Sequence, residues 1–139
     1  MKVYIAAPLY CEYELDYNLK IDTFLRENGF DTYLPQRDGG VVATMPDTIE
    51  GMPKGEYVFK KDLQAMDRSD VFLFLLDGRV PDEGACVALG YFYASGKPCV
   101  GLKSDLRSLT GGNDNLMISM AVKKICRSRE ELLVFLKDC

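Results

Sequence analysis

The sequence predicts an α/β fold: a doubly wound three-layer sandwich around a mostly parallel five-stranded sheet, built by a single domain over residues 1–139. Two observations predict it. Three short runs are apolar without alternation, "KVYIAA" (2–7), "VFLFLL" (71–76) and "PCVGL" (98–102), as strands covered on both faces must be. The stretches between them carry helical periodicity instead, so strand and helix alternate along the chain.

In chain order, "KVYIAA" is the first strand. Residues 13–28, "YELDYNLKIDTFLREN", follow as a helix that sets Leu15, Leu19, Phe24 and Leu25 near one face and stops at Asn28-Gly29. "DTYLP" (31–35) is the second strand. "PQRDGGVVATMPDTIEGMPKG" (35–55) is rich in Gly and Pro with little periodicity, a loop of the length that serves as a lid or binding loop. Residues 56–68 place Val58, Phe59, Leu63 and Met66 on a helical stripe before the third strand, "VFLFLL". "GACVALGYFYASGKP" (84–98) holds a helix over 84–95, closed by Gly96, whose inward face offers Ala85, Ala88 and Leu89. "PCVGL" is the fourth strand and "VKKICRS" (122–128) supplies the fifth. "SREELLVFLKDC" (128–139) closes the chain as a helix, with Ser128 and Glu131 at capping-box spacing.

Composition removes whole classes of function. The 47% hydrophobic and 27% charged residues are the balance of a globular chain, not a disordered one. A net charge of -4 provides no footprint for nucleic acid or an anionic membrane. Lys123, Lys124, Arg127 and Arg129 read as the solvated face of a late helix. Five cysteines, an odd number without CxxC spacing, argue against a disulfide framework and a zinc site. Without histidine, imidazole metal ligation and Ser-His or Cys-His catalysis are excluded, so acid–base work falls to carboxylates, tyrosine or lysine. Neither GxGxxG nor GxxxxGK[ST] occurs, which disfavours dinucleotides and triphosphates. No cofactor and no metal are expected. The chain opens directly on "MKVYIAAPLY" and has no apolar run of membrane-spanning length, so a cytoplasmic protein is expected.

Ligands of open α/β sheets bind beyond the carboxyl ends of the strands. There the chain brings "AAPLY", "PQRD", "LDGRVPDEGA" and "GLKSDLR". Each candidate residue has a structural role open to it as well. Asp82 stands where it can cap a helix, and a capping carboxylate can also accept from a ligand hydroxyl. Asp62 fits a solvated helical charge, Tyr4 a core aromatic, and Asn115 in "GGNDNLM" a turn residue. Ala88 is simply a good helix former. A carboxylate in its place would lie near the helix start, where the dipole favours the ionised form that a nucleophile needs.

"VYIAAPLY", "YLPQRD", "KKDLQAMDRSDVFLFLLDG", "PDEGACVALGYFYASGKPCVGLKSDLR" and "NLM", in this order and spacing from about residue 3 to 120, resemble the nucleoside 2-deoxyribosyltransferase family. The resemblance implies a doubly wound α/β fold and cleavage of the N-glycosidic bond of 2'-deoxynucleosides. The sugar would be held as a covalent intermediate and passed to a free nucleobase. Relatives use the same site for hydrolysis.

The family's nucleophile is a glutamate in a pattern like "GTxxELGYAxxxGKP", and here its position holds Ala88. Glu83 lies before the predicted helix and substitutes poorly. An introduced Glu→Ala change and a natural paralogue without catalysis both fit, and the intact remaining positions favour the first. By the same resemblance, Tyr4 orients the nucleophile and Asp62 protonates the leaving base. Asp82 accepts from the sugar 5'-hydroxyl, which selects free nucleosides over monophosphates. Gln36 and Ala7-Pro8-Leu9 line the base pocket, and Gly84 touches substrate. Asn115 reaches a neighbouring subunit's site, implying a homo-oligomer with shared sites. The expected outcome is nucleoside binding without efficient turnover. A hydrolase and a non-catalytic nucleoside-binding paralogue are the alternatives, and purine or pyrimidine preference is not fixed.

Overall fold

The computed structural model describes residues 1–107 and 113–139. Its strands are β1 (Lys2–Ala6), β2 (Asp31–Tyr33), β3 (Thr48–Ile49), β4 (Met52–Pro53), β5 (Val71–Leu75), β6 (Cys99–Leu102) and β7 (Lys124–Cys126). Its helices are α1 (Glu12–Glu27), α2 (Lys54–Asp67), α3 (Glu83–Ala94), α4 (Leu116–Ala121) and α5 (Arg129–Lys137). Five strands form one parallel sheet in the order β2-β1-β5-β6-β7. Val3 pairs with both Thr32 and Val71, which sets β1 between β2 and β5.

Alternation of side chains along each strand divides the core in two. Val3, Ile5, Leu73 and Leu102 face Ile21 and Leu25 of α1 and Leu132 and Leu136 of α5. Tyr4, Phe72, Phe74 and Cys99 face Met66 of α2, Leu89 and Phe92 of α3, and Ile118 of α4. Both faces are therefore dry, which is why the strands read as unbroken apolar runs. Fully buried side chains such as Phe72, Phe74 and Phe92 contribute about 1.5–3 kcal/mol each.

The helix ends follow local chemistry. Gly96 takes a φ of 77° after α3, a conformation that glycine adopts without a Cβ penalty. Ser128 Oγ accepts from the Glu131 N–H at 3.1 Å, while Glu131 Oε2 reaches back to the Arg127 N–H at 3.0 Å.

Four expectations need correction. Leu19 is 45% exposed; the inward face of α1 runs through Asn18, Ile21, Asp22 and Leu25 instead. Polar residues are admitted there because they are bonded: Thr32 Oγ1 donates to Asp22 Oδ1, and Arg37 Nη1 reaches Asp22 Oδ2, each at 2.5 Å. Phe59 is 57% exposed and not part of the packed stripe. The 35–55 stretch is not a plain loop. It contains a π-helical turn (Pro35–Gly39), a 3₁₀ turn (Val42–Thr44) and the antiparallel hairpin β3–β4. At the hairpin tip Glu50 and Gly51 have φ of 52° and 78°, the pairing of a primed turn. Finally, Glu83 is the first residue of α3 rather than a residue ahead of it.

Candidate active site

Leaving β1 the chain turns toward β2, whereas β5 leads outward to β6, so the strand order reverses between β1 and β5. Such a switch point opens a crevice at the carboxyl ends of the strands. Here it is a cavity of about 500 Å³. Tyr4, Ala7 and Leu9 line it from β1 and its following loop; Phe59, Asp62 and Met66 from α2; Asp82, Gly84 and Ala88 from the head of α3.

Tyr4 is 3% exposed and stacks between Tyr33 (centroids 5.3 Å apart, planes at 15°) and Phe72 (5.8 Å, 8°). Its hydroxyl has no hydrogen-bond partner among the described residues and belongs to the cavity wall. Burial, then the nearby Asp62 charge, pushes this phenol far above its ordinary value, so it stays protonated and able to donate.

Asp62, half-buried on α2, accepts from the Tyr33 hydroxyl at 3.0 Å. Burial raises its carboxyl above the ordinary value, against the opposing pull of that bond and of Lys61. A carboxyl so placed holds a proton more readily than a solvated one, which suits a general acid.

Asp82 is the N-cap of α3, with Oδ2 accepting from the Ala85 N–H at 2.7 Å. The capping role and a place on the cavity wall thus coexist. The Asp82 charge also pushes the exposed Tyr10 phenol upward.

Ala88 is half-buried, lines the cavity, and packs against the core cluster that contains Tyr4. It is the sixth residue of α3. The helix dipole acts mainly on the first turn, so it would favour a carboxylate here less than expected. Glu83 is exposed and does not line the cavity.

Two residues expected in the base pocket, Gln36 and Pro8, do not line the cavity, and Asn115, expected at a neighbouring subunit's site, lies outside it as well. The Gln36 side chain is held by α1: its Oε1 accepts from Asn18 Nδ2 and its Nε2 donates to the Leu15 carbonyl, both at 2.9 Å. Pro35 lines the cavity beside it. Pro8 offers its carbonyl to Asn18 Nδ2 at 2.9 Å and stays off the wall. Asn115 caps α4, accepting from the Met117 and Ile118 N–H groups, and borders a separate small void with Lys103 and Asp114.

Sequence reasoning missed Tyr33, Phe59 and Tyr91. Tyr91 lines the cavity one turn beyond Ala88 and donates to Asp67 Oδ1 at 2.8 Å, tying α3 to α2. Its spacing from Ala88, like that of Phe59 from Asp62, was the available signal. Among the described residues, no group of His, Cys, Asp and Glu is arranged to hold a metal, and no helix is long and apolar enough to cross a membrane.

A family model described as nucleoside 2-deoxyribosyltransferase matches residues 3–128. Among solved structures, a conserved protein from Enterococcus faecalis V583 is 26% identical with a TM-score of 0.79, over 99% of this chain and 97% of that one. A 2-deoxyribosyltransferase from Bacillus psychrosaccharolyticus is 24% identical with a TM-score of 0.77, over 96% and 90%. A CMP N-glycosidase from Clostridium botulinum shares the fold at 19% identity and a TM-score of 0.63, over 99% of both chains. No curated protein matches the chain.

Proposed function

Since the chain belongs to the nucleoside 2-deoxyribosyltransferase family, we propose that its cavity binds 2'-deoxynucleosides and free nucleobases at a site built for base exchange, with the nucleophile position occupied by Ala88. The observation that carries this reading is the convergence of Tyr4, Asp62, Asp82 and position 88 on one cavity.

The roles are those the family resemblance implies, and the cavity has room for them. Asp82 keeps acceptor capacity beyond its capping bond for the sugar 5'-hydroxyl, and its charge repels a 5'-phosphate. The base lies among Leu9, Phe59 and Met66, within reach of Asp62. When the C1'–N bond breaks, its electron pair leaves with the base, which takes a proton from Asp62. That transfer contributes about 10²–10⁴-fold. A carboxylate at position 88, oriented by the Tyr4 hydroxyl, would form the C1'–O bond. An incoming base would displace it from the original face, so that two inversions give retention. The methyl of Ala88 forms no such bond, and the protein with Ala88 would bind without efficient turnover.

A second copy completes the site in this reading. Val87 on α3 and Leu116, Met117 and Met120 on α4 are 69–79% exposed. Asn115 heads the same helix α4, outside its own cavity. Pairing this apolar face with another subunit brings Asn115 toward the partner's sugar end.

Incubating thymidine or deoxyinosine with free adenine tests the reading, using the parent protein beside Ala88→Glu. The glutamate variant should form deoxyadenosine, with the parent protein at least about 10⁴-fold slower. Release of free sugar alone would make the site a hydrolase. Equal rates in both proteins would remove position 88 from the mechanism. Absence of nucleoside binding and of reaction in both would end the enzyme reading.

A further inference from the structure

Helix α2 is a partition between two cavities. Phe59, Asp62, Leu63 and Met66 line the cavity described above. On its other side Tyr57, Lys60, Lys61, Gln64 and Arg68 line a second cavity of about 370 Å³, a size suited to a small molecule. Lys2 of β1, Tyr33 of β2, and Glu50 and Met52 of the β3–β4 hairpin complete its walls. Residues 57, 61, 64 and 68 recur at helical spacing, so their side chains form one stripe.

The charge of this cavity opposes that of the chain. Four cations face one carboxylate, Glu50, in a protein whose net charge is -4. Lys60 is held by Glu56 at 2.6 Å, and Lys2 lies 3.8 Å from Asp31. Lys61 and Arg68 have no carboxylate within ion-pair distance among the described residues. The remaining walls are amphipathic: two tyrosines and a methionine. The hairpin that contributes Glu50 and Met52 turns through a positive φ at Glu50, where glycine or asparagine is the usual occupant.

We propose that this second cavity binds a phosphate monoester. Its dianionic head would rest on Lys61 and Arg68, a point charge and a fork suited to phosphate oxygens. Its organic part lies against Tyr33, Tyr57 and Met52, with Glu50 accepting from a hydroxyl. The walls leave room for one small ligand, not for a peptide or a nucleic acid strand.

Occupancy reports to the first cavity through two side chains. The Tyr33 ring borders the second cavity while its hydroxyl holds Asp62 on the wall of the first. Lys61 adjoins Asp62 in the chain, and its charge opposes protonation of that carboxyl. An anion on Lys61 would weaken that opposition, which couples the two cavities through Asp62. The second site's existence does not depend on what the first cavity binds.

Calorimetric titration of the full chain with thymidine monophosphate, inorganic phosphate and thymidine tests the proposal. Thymidine monophosphate should still bind when thymidine is saturating, since the two ligands would occupy different cavities. Its affinity should fall tenfold or more in Lys61→Gln/Arg68→Gln, and by a smaller factor in each single variant. Circular dichroism verifies the folds, while Lys123→Gln/Lys124→Gln controls for net charge and should bind normally. Undiminished binding in the double variant, displacement by thymidine, equal affinity for inorganic phosphate, or no binding by either phosphate compound would overturn it. Failure of thymidine alone to bind would count against the first-cavity reading and leave this measurement intact.

Discussion

The Tyr33 hydroxyl donates to Asp62 Oδ1 across 3.0 Å, joining the edge strand β2 to the helix that bears the candidate acid. The bond lowers the Asp62 carboxyl while burial raises it, and burial wins. Tyr33→Phe keeps the stack on Tyr4 and deletes the donor. The Asp62 titration should therefore move further up, with a stability loss of about 1 kcal/mol. Carbon-detected NMR titration of the Asp62 carboxyl reads the shift directly; a downward move would contradict the assignment.

Asp62 itself should make stability fall as pH rises. Its folded-state pKa is raised above 3.8, first by desolvation, so the folded chain binds this proton more tightly than the unfolded chain. The resulting stabilisation is complete below the unfolded value and disappears as pH climbs through the raised one. Asp62→Asn keeps an acceptor for Tyr33 without the buried charge. That variant should melt higher than the parent at pH 7, and the advantage should vanish below about pH 4. Paired thermal melts at the two pH values decide it.

Capping and ligand recognition at Asp82 can be separated. Asp82→Ala loses the bond to the Ala85 N–H and should cost about 1 kcal/mol, whereas Asp82→Asn retains a competent cap. Both should weaken deoxynucleoside binding, and the asparagine variant should also accept 5'-monophosphates better in the first cavity. Denaturant melts and calorimetry on the pair would show stability and affinity moving together if Asp82 only caps.

Asn18, 1% exposed, donates to the Pro8 carbonyl and Gln36 Oε1, both at 2.9 Å. It thereby fixes the loop that presents Ala7 and Leu9 to the cavity. Asn18→Ala leaves these acceptors unsatisfied and should cost about 1–3 kcal/mol. Deoxynucleoside affinity should drop with it, although the side chain touches no ligand; unchanged affinity would confine Asn18 to a structural role.

Elements that bury both faces were legible in the sequence, because nothing but continuous apolarity satisfies β1 and β5 in mid-sheet. The family pattern around "GACVALGYFYASGKP" placed Ala88, Gly84 and Asp82, and the cavity contains all three. Side chains whose role depends on a partner far along the chain were not legible. Periodicity cannot distinguish an apolar residue facing the core from one facing a cavity, so Phe59 was assigned to packing. Nor could it show that Gln36 would turn to α1, since that depends on the amide of Asn18 and the carbonyl of Leu15. Asn115, the cap of α4, lies outside its own cavity, as a residue expected to serve a neighbouring subunit would.

The sheet order also carries a cost in time. Lys2 and Asp70, 68 positions apart, are bonded at 2.7 Å where β1 meets β5. No tight turn can nucleate that pairing, and closing so long a loop precedes most of the contacts that reward it. At a synthesis rate of about 5–20 residues per second, the first strand waits several seconds on the ribosome for its central partner. During that interval "KVYIAA" can pair with β2 along one edge only, and the helix α1 that follows it is the nearest surface available to shield its apolar side chains.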